Sequence, residues 1–247
     1  MSGRVGILIF PGTNSEEETL RACRAVGLDA ALVHWTAASS EVAAFDAYVL
    51  PGGFAYEDRV RAGAIAAHDR LMGAVRQGAE AGKPVLGICN GAQILLESGL
   101  APQLEGVSRA QAGFARNAPL GKFRSTHVYV KLAVAPERCA ITAALPRDAV
   151  IPAWASHAEG RLAAQPAVLE RMQRAGHVAF VYCNERGETT PDAIPNGSAL
   201  GAAAVVNQRG NGSAMLAPSG GIALFEGLAA ALGRSGFVGS GREGSPQ

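Results

Sequence analysis

The chain has 247 residues, 48% hydrophobic and 17% charged, which is enough apolar material for a sizeable core. A formal net charge of +1 argues against a nucleic-acid or anionic-membrane surface as the main partner. Four cysteines (Cys23, Cys89, Cys139, Cys183) form no CxxC pair and no metal-ligand spacing with the five histidines, so reduced thiols, a cytoplasmic location and no metal site are expected.

The amino terminus, Met-Ser-Gly-Arg-Val, enters a strand-like run at once and lacks the n-region and cleavage site of a signal peptide. No uncharged apolar run approaches the roughly 18 residues of a membrane span. Residues 5–10 are near-continuously apolar, as expected of a parallel strand covered on both faces. Pro11-Gly12-Thr13-Asn14 breaks the run, and Ser15 with Glu18 has the spacing of a capping box. The predicted helix buries Leu20, Cys23 and Val26 and meets Gly27 as its C-cap. Residues 29–35 and 46–50 read as two further strands, and this alternation predicts a parallel α/β sheet with right-handed crossovers. The third strand runs into Pro51-Gly52-Gly53-Phe54. Glycines there let backbone amides approach a ligand, a tight turn being the plain alternative. Residues 61–78, rich in alanine, read as a helix.

Residues 83–93, Lys-Pro-Val-Leu-Gly-Ile-Cys-Asn-Gly-Ala-Gln, organise the rest. Val85, Leu86 and Ile88 suit a short buried strand, and Ala92, Ile94, Leu95 and Leu96 suit a helix ending before Gly99. Strand, glycine-flanked turn and helix match a nucleophile elbow with Cys89 at its tip. The helix amino end is expected to lower the pKa of that thiol. A lone cysteine is otherwise an inert core residue, and the flanking Gly87 and Gly91 favour the nucleophile. Paired with the elbow, Gly53 becomes a candidate oxyanion donor.

Beyond Gly99, residues 122–134 alternate apolar and polar, predicting a strand with one wet face. Residues 150–154 and 177–182 are further strands, read as antiparallel additions to the sheet. Residues 156–161 form a polar loop whose His157 and Glu159 alone would be read as solvated or capping. Pro195-Asn196-Gly197-Ser198 is a turn, followed by a strand over 202–207 and a helix over 224–232. One domain over 1–233 and a Gly/Ser-rich, disordered tail over 234–247 are expected. Cys23 reads as core, and Cys139 and Cys183 lack elbow flanks. His34, His68, His127 and His177 have no partner spacing, while Arg124 and Lys131 read as solvated.

Pro51-Gly52-Gly53-Phe54, Arg61-Ala62-Gly63-Ala64-Ile65-Ala66 and Gly87-Ile88-Cys89-Asn90-Gly91-Ala92-Gln93 together resemble the class I glutamine amidotransferases. Phe10-Pro11-Gly12-Thr13-Asn14, Ser156-His157-Ala158-Glu159-Gly160-Arg161 and Pro195-Asn196-Gly197-Ser198 are similar to motifs of the glutaminase subunits of phosphoribosylformylglycinamidine synthase, a purine-biosynthesis enzyme. The resemblance covers the chain to about residue 232. It implies a flavodoxin-like fold with a central, mostly parallel sheet, helices on both faces and antiparallel additions. It implies hydrolysis of glutamine to glutamate and ammonia for an ATP-dependent synthetase subunit, with a small bridging subunit as a further partner and no nucleic acid or membrane. Cys89 would form the thioester, the Gly53 and Asn90 amides would hold the oxyanion, and Gln93, His157 and Glu159 would contact substrate. No cofactor is implied in this chain, since ATP and Mg²⁺ would belong to the synthetase.

One departure bears on catalysis. The family carries a late His and Glu after a Gly-Asn turn. Here Gly210-Asn211 is followed by a stretch with Pro218 in place of the His and Gly220 in place of the Glu, and no His follows His177. Losing the base of a triad can cost on the order of 10⁴ to 10⁶ in rate, somewhat less for a thiol that is already partly ionised. Three readings stay open: a working glutaminase with His157 in the base's place, a catalytically dead subunit that docks on the synthetase, and a stand-alone Cys-elbow hydrolase or stress protein of the related superfamily.

Overall fold

The computed structural model describes residues 3–106, 109–216 and 221–233; the expected tail lies outside the described residues. In chain order the elements are β1 (Arg4–Ile9), α1 (Glu16–Ala25), β2 (Asp29–His34), α2 (Ser39–Ala43), β3 (Ala47–Leu50), α3 (Arg70–Glu80), β4 (Val85–Ile88), α4 (Asn90–Glu97) and β5 (Ala112–Arg116). There follow β6 (Arg124–Leu132), β7 (Val150–His157), β8 (Glu159–Ala164), α5 (Pro166–Arg174), β9 (Val178–Cys183), β10 (Ala202–Val206), β11 (Gly212–Met215) and α6 (Ile222–Gly233).

The apolar runs lack alternation because both faces of their strands are covered. In β3, Tyr48 and Leu50 join a core with Leu71, Met72 and Leu95, while Ala47 and Val49 join a second core with Leu20, Phe225 and Leu228. The nine-stranded sheet has the order β2-β1-β3-β4-β11-β10-β9-β6-β7. Strands β2, β1, β3, β4 and β11 are parallel, and the pairs from β11–β10 to β6–β7 are antiparallel. The antiparallel additions expected from the sequence are therefore half of one sheet. Strands β5 and β8 form a separate antiparallel pair. Among the described residues no helix is long and apolar enough to cross a membrane.

Local expectations fail in three places. Ser15 precedes α1, but its side chain makes no capping bond. The Asn14 and Ser15 amides donate instead to the Gly52 carbonyl, at 3.2 and 3.3 Å, which pulls this turn onto the glycine loop. The helix expected over 61–78 does not begin at Arg61. Gly63 has φ +78 and packs against the Gln93–Ile94 backbone, and Asp69 at ψ 147 interrupts the chain before α3. Asp69 then caps α3, its Oδ1 accepting the Leu71 N–H at 2.8 Å, while Oδ2 accepts the Tyr56 hydroxyl at 2.8 Å. Asp69→Ala is expected to lower stability by about 1 kcal/mol or somewhat more, read as a shift of the urea midpoint. Third, residues 156–161 are not a loop but the ends of β7 and β8 around Ala158.

Strand β11 was not legible at all. Gly212-Ser213-Ala214-Met215 carries no β-branched or aromatic residue, yet all four are buried and lie parallel to β4, with Ala214 beside Gly87 and Met215 beside Ile88. Its neighbours on both sides, rather than its own propensity, make it a strand.

Candidate active site

Cys89 sits between β4 and α4 with φ 52 and ψ −109, a conformation that non-glycine residues rarely adopt. The turn fits only because its neighbours are glycines. A Cβ on Gly91 would press into the carbonyl oxygen of Leu50, and one on Gly87 into that of Gly91. The Cys89 N–H donates to Met215 O at 2.8 Å and the Gly91 N–H to Pro51 O at 3.1 Å, so the elbow is tied to both neighbouring strands.

The Pro51–Phe54 loop lies over the thiol. A Cβ on Gly52 would stand 3.5 Å from Cys89 Cβ, and Gly53, at φ +152, is pressed against the Gly12–Asn14 backbone. Among the described residues the Gly53 amide donates to no backbone carbonyl. The Asn90 amide at the start of α4 points to the Cys89 sulfur. Burial pushes the Cys89 thiol up to about 11; the Asn90 amide opposes this and the Asp58 carboxylate adds to it. The expected lowering of this pKa is thereby overturned. Desolvation outweighs the helix end, and the thiol, 3.7 Å from Ser156 O, is neutral at pH 7.

A chain of polar contacts runs beside the sulfur. Asn90 Oδ1 accepts the Ala55 N–H at 2.9 Å, and its Nδ2 donates to Asp58 Oδ1 at 3.0 Å and Gln93 Oε1 at 2.8 Å. Gln93 Nε2 donates to Glu159 O at 2.7 Å, and Glu159 Oε2 accepts the Ala62 N–H at 2.9 Å. His157 is 3% exposed, its ring lies on Gly160, and neither ring nitrogen has a partner among the described residues. Buried amides hold the strand turn that carries it. Asn117 Nδ2 donates to His157 O at 2.7 Å, Asn117 Oδ1 accepts the Gly160 N–H at 3.0 Å, and Asn196 Nδ2 donates to Gly160 O at 2.7 Å. This gives the Pro195–Ser198 turn a role.

Burial pushes the His157 pKa down to about 4. The folded state therefore binds its proton less readily than the unfolded chain, and the stability it contributes is present above about pH 6.5 and lost as pH falls toward 4. His177, lowered by burial as well, acts in the same direction. Between pH 7 and pH 4.5 the wild type should lose on the order of 2–3 kcal/mol more than His157→Gln, measured by urea unfolding at both values.

These groups face one cavity of about 730 Å³, walled by Asn14, Gly53, Asp58, Cys89, Glu159 and Phe225 among others. The residues singled out from sequence converge here. Gly53, Cys89, Gln93, His157 and Glu159 line the cavity, and Asn90 stands behind Cys89. Pro218 and Gly220 lie outside the described residues. Asp58 was missed: it reaches the cavity through three successive left-handed residues, Tyr56 (φ 54), Glu57 (φ 58) and Asp58 (φ 51), which no sequence rule anticipates in non-glycine residues. Among the described residues, no three His, Cys, Asp or Glu side chains are grouped to hold a metal ion.

A cysteine elbow facing this cavity is the site expected of a glutamine amidotransferase, and the family profile of the CobB/CobQ-like glutamine amidotransferase domain matches residues 2–222; the chain belongs to this family. Within it, the chain is similar to the phosphoribosylformylglycinamidine synthase subunits PurQ. It is 43% identical over 211 residues to that of Symbiobacterium thermophilum, covering 84% of this chain and 83% of the relative. It is 38% identical over 215 residues to that of Methanothrix thermoacetophila, covering 84% and 82%. The solved structure of PurLQS from Thermotoga maritima matches with a TM-score of 0.76 and 25% identity over 94% of this chain and 100% of that one. A putative GMP synthase protein from Thermoplasma acidophilum, at TM-score 0.55 and 18% identity over 94% and 95%, shares the fold.

Proposed function

We propose that this chain is the cytoplasmic glutaminase subunit of phosphoribosylformylglycinamidine synthase, one domain over residues 1–233 that supplies ammonia to an ATP-dependent synthetase subunit, with a small bridging subunit as third member. The observation that carries the chemistry is the strained Cys89 elbow facing a cavity that also holds the Gly53 amide, with the Asn90 amide at the sulfur. Cys89 Sγ attacks the side-chain amide carbon of glutamine. The Gly53 and Asn90 amides receive the developing oxyanion, each worth about 3 kcal/mol. Collapse expels ammonia with the proton that left the thiol, and water then cleaves the thioester to glutamate and free thiol.

The proton needs a carrier, because a thiol with a pKa near 11 is neutral at pH 7. His157 is the only histidine lining the cavity among the described residues; its ring nitrogens are buried against Gly160, so in this scheme the ring turns out into the cavity to carry the proton. With a pKa near 4 it is a weak base, which sets a low turnover. The high thiol pKa and the Pro218 and Gly220 of the sequence also favour a second reading, in which the chain docks on the synthetase without hydrolysing glutamine. ATP and Mg²⁺ enter neither scheme in this chain; they act on the synthetase.

The test is product formation by the chain mixed with its synthetase, driven by glutamine or by ammonium, beside Cys89→Ala. Glutamine-driven synthesis that disappears in Cys89→Ala supports the first reading. Ammonium-driven synthesis alone, with the complex intact, supports the second. Failure to bind any synthetase overturns both and leaves a stand-alone hydrolase.

A further inference from the structure

The cavity wall contains a carboxylate that the hydrolysis itself does not use. Asp58 is carried inward by the left-handed run at 56–58. Its Oδ1 accepts from Asn90 Nδ2 at 3.0 Å, and the Gly63 amide also donates to the carboxylate. Among the described residues Asp58 forms no ion pair. A second carboxylate, Glu159, faces the same cavity, but it is already engaged by the Ala62 amide and by Arg116, whose Nε stands 4.0 Å from Oε1. Burial and the Glu159 charge raise the Asp58 pKa, as expected of a site short of positive charge.

We infer that Asp58 binds the α-ammonium group of the substrate and so selects an α-amino acid amide over a plain carboxamide. The inference rests on the glutaminase reading and adds to it the group that anchors the far end of glutamine. The geometry suits the task. Asp58 is bonded to the side chain of Asn90, the residue next to Cys89, so an ammonium held there has a fixed distance to the sulfur. Asp58→Asn keeps an acceptor oxygen for Asn90 and removes the charge.

Protection of Cys89 from alkylation tests this without requiring turnover. The full chain, mixed with its synthetase, is treated with iodoacetamide, and modification at Cys89 is followed by mass spectrometry against increasing glutamine or increasing glutaramate, which has the same amide and carboxylate and no amine. In Asp58→Asn, half-protection by glutamine should need on the order of 100-fold more ligand, the loss expected when a buried charge pair loses one partner. Glutaramate should protect both proteins alike. Equal protection of both proteins by glutamine overturns the inference. So does an equal weakening for glutaramate, because Asp58 would then only support the fold of the wall. If glutamine fails to protect the wild type at any concentration, the glutaminase reading itself falls and takes the inference with it.

Discussion

Cys89→Ala is expected to lower glutamine-driven synthesis to the background of spontaneous hydrolysis, a loss on the order of 10⁴ for a chain with a working proton carrier. Ammonium-driven synthesis by the same complex should be unchanged. Removing one sulfur takes away the one thiol that lines the cavity among the described residues, while the Gly53 and Asn90 amides keep their places. The backbone should not relax in this variant, because alanine at φ 52 is as strained as cysteine. Loss of activity would therefore report chemistry and not a collapsed elbow. A much smaller factor, with clear residual activity, would show that the cavity hydrolyses amides without a covalent intermediate.

The second large effect is structural. Gly91→Ala should cost about 4 kcal/mol or more, enough to lower the thermal midpoint by roughly 10 °C. A Cβ there meets the Leu50 carbonyl oxygen and carbon together, both of them backbone, so no rotamer change relieves it. The Leu50–Pro51 segment and α4 cannot move apart freely either, because the Gly91 N–H donates to Pro51 O. The control is Gly73→Ala on α3, where nothing lies within 4 Å of the new methyl and the residue is exposed. That change should stabilise by up to about 1 kcal/mol through helix propensity. Scanning calorimetry on both variants separates glycine as helix breaker from glycine as the only residue that fits.

Much of this architecture is legible from residues alone. The unalternating run of β1 reads as a strand covered on both faces, and it is; β3 and the buried strand β4 are likewise in place. The elbow is legible because Gly87 and Gly91 flank one cysteine at a strand-to-helix junction. What the sequence hides has physical causes. The residues of β11 have no strand propensity and are recruited by β4 and β10. The polar run at 156–161 looks wet, but Asn117 and Asn196 satisfy its buried carbonyls from segments about 40 residues away. The thiol pKa moved opposite to expectation because burial depends on the whole cavity, while a helix end is visible locally. Asp58 is hidden in the sequence because its approach needs positive φ at Tyr56, Glu57 and Asp58 in succession.

The elbow's torsion angles also bear on how such a chain drifts over generations. Holding cysteine at φ 52 and ψ −109 costs on the order of 1–3 kcal/mol, and glycine would hold the same angles with little strain. In a lineage that had come to feed its synthetase on free ammonium, exchange of Cys89 for glycine would be favoured twice, by added stability and by loss of an oxidisable thiol. The strain thus ties the residue at the elbow to its chemistry: cysteine there is stable against replacement only while hydrolysis is under selection.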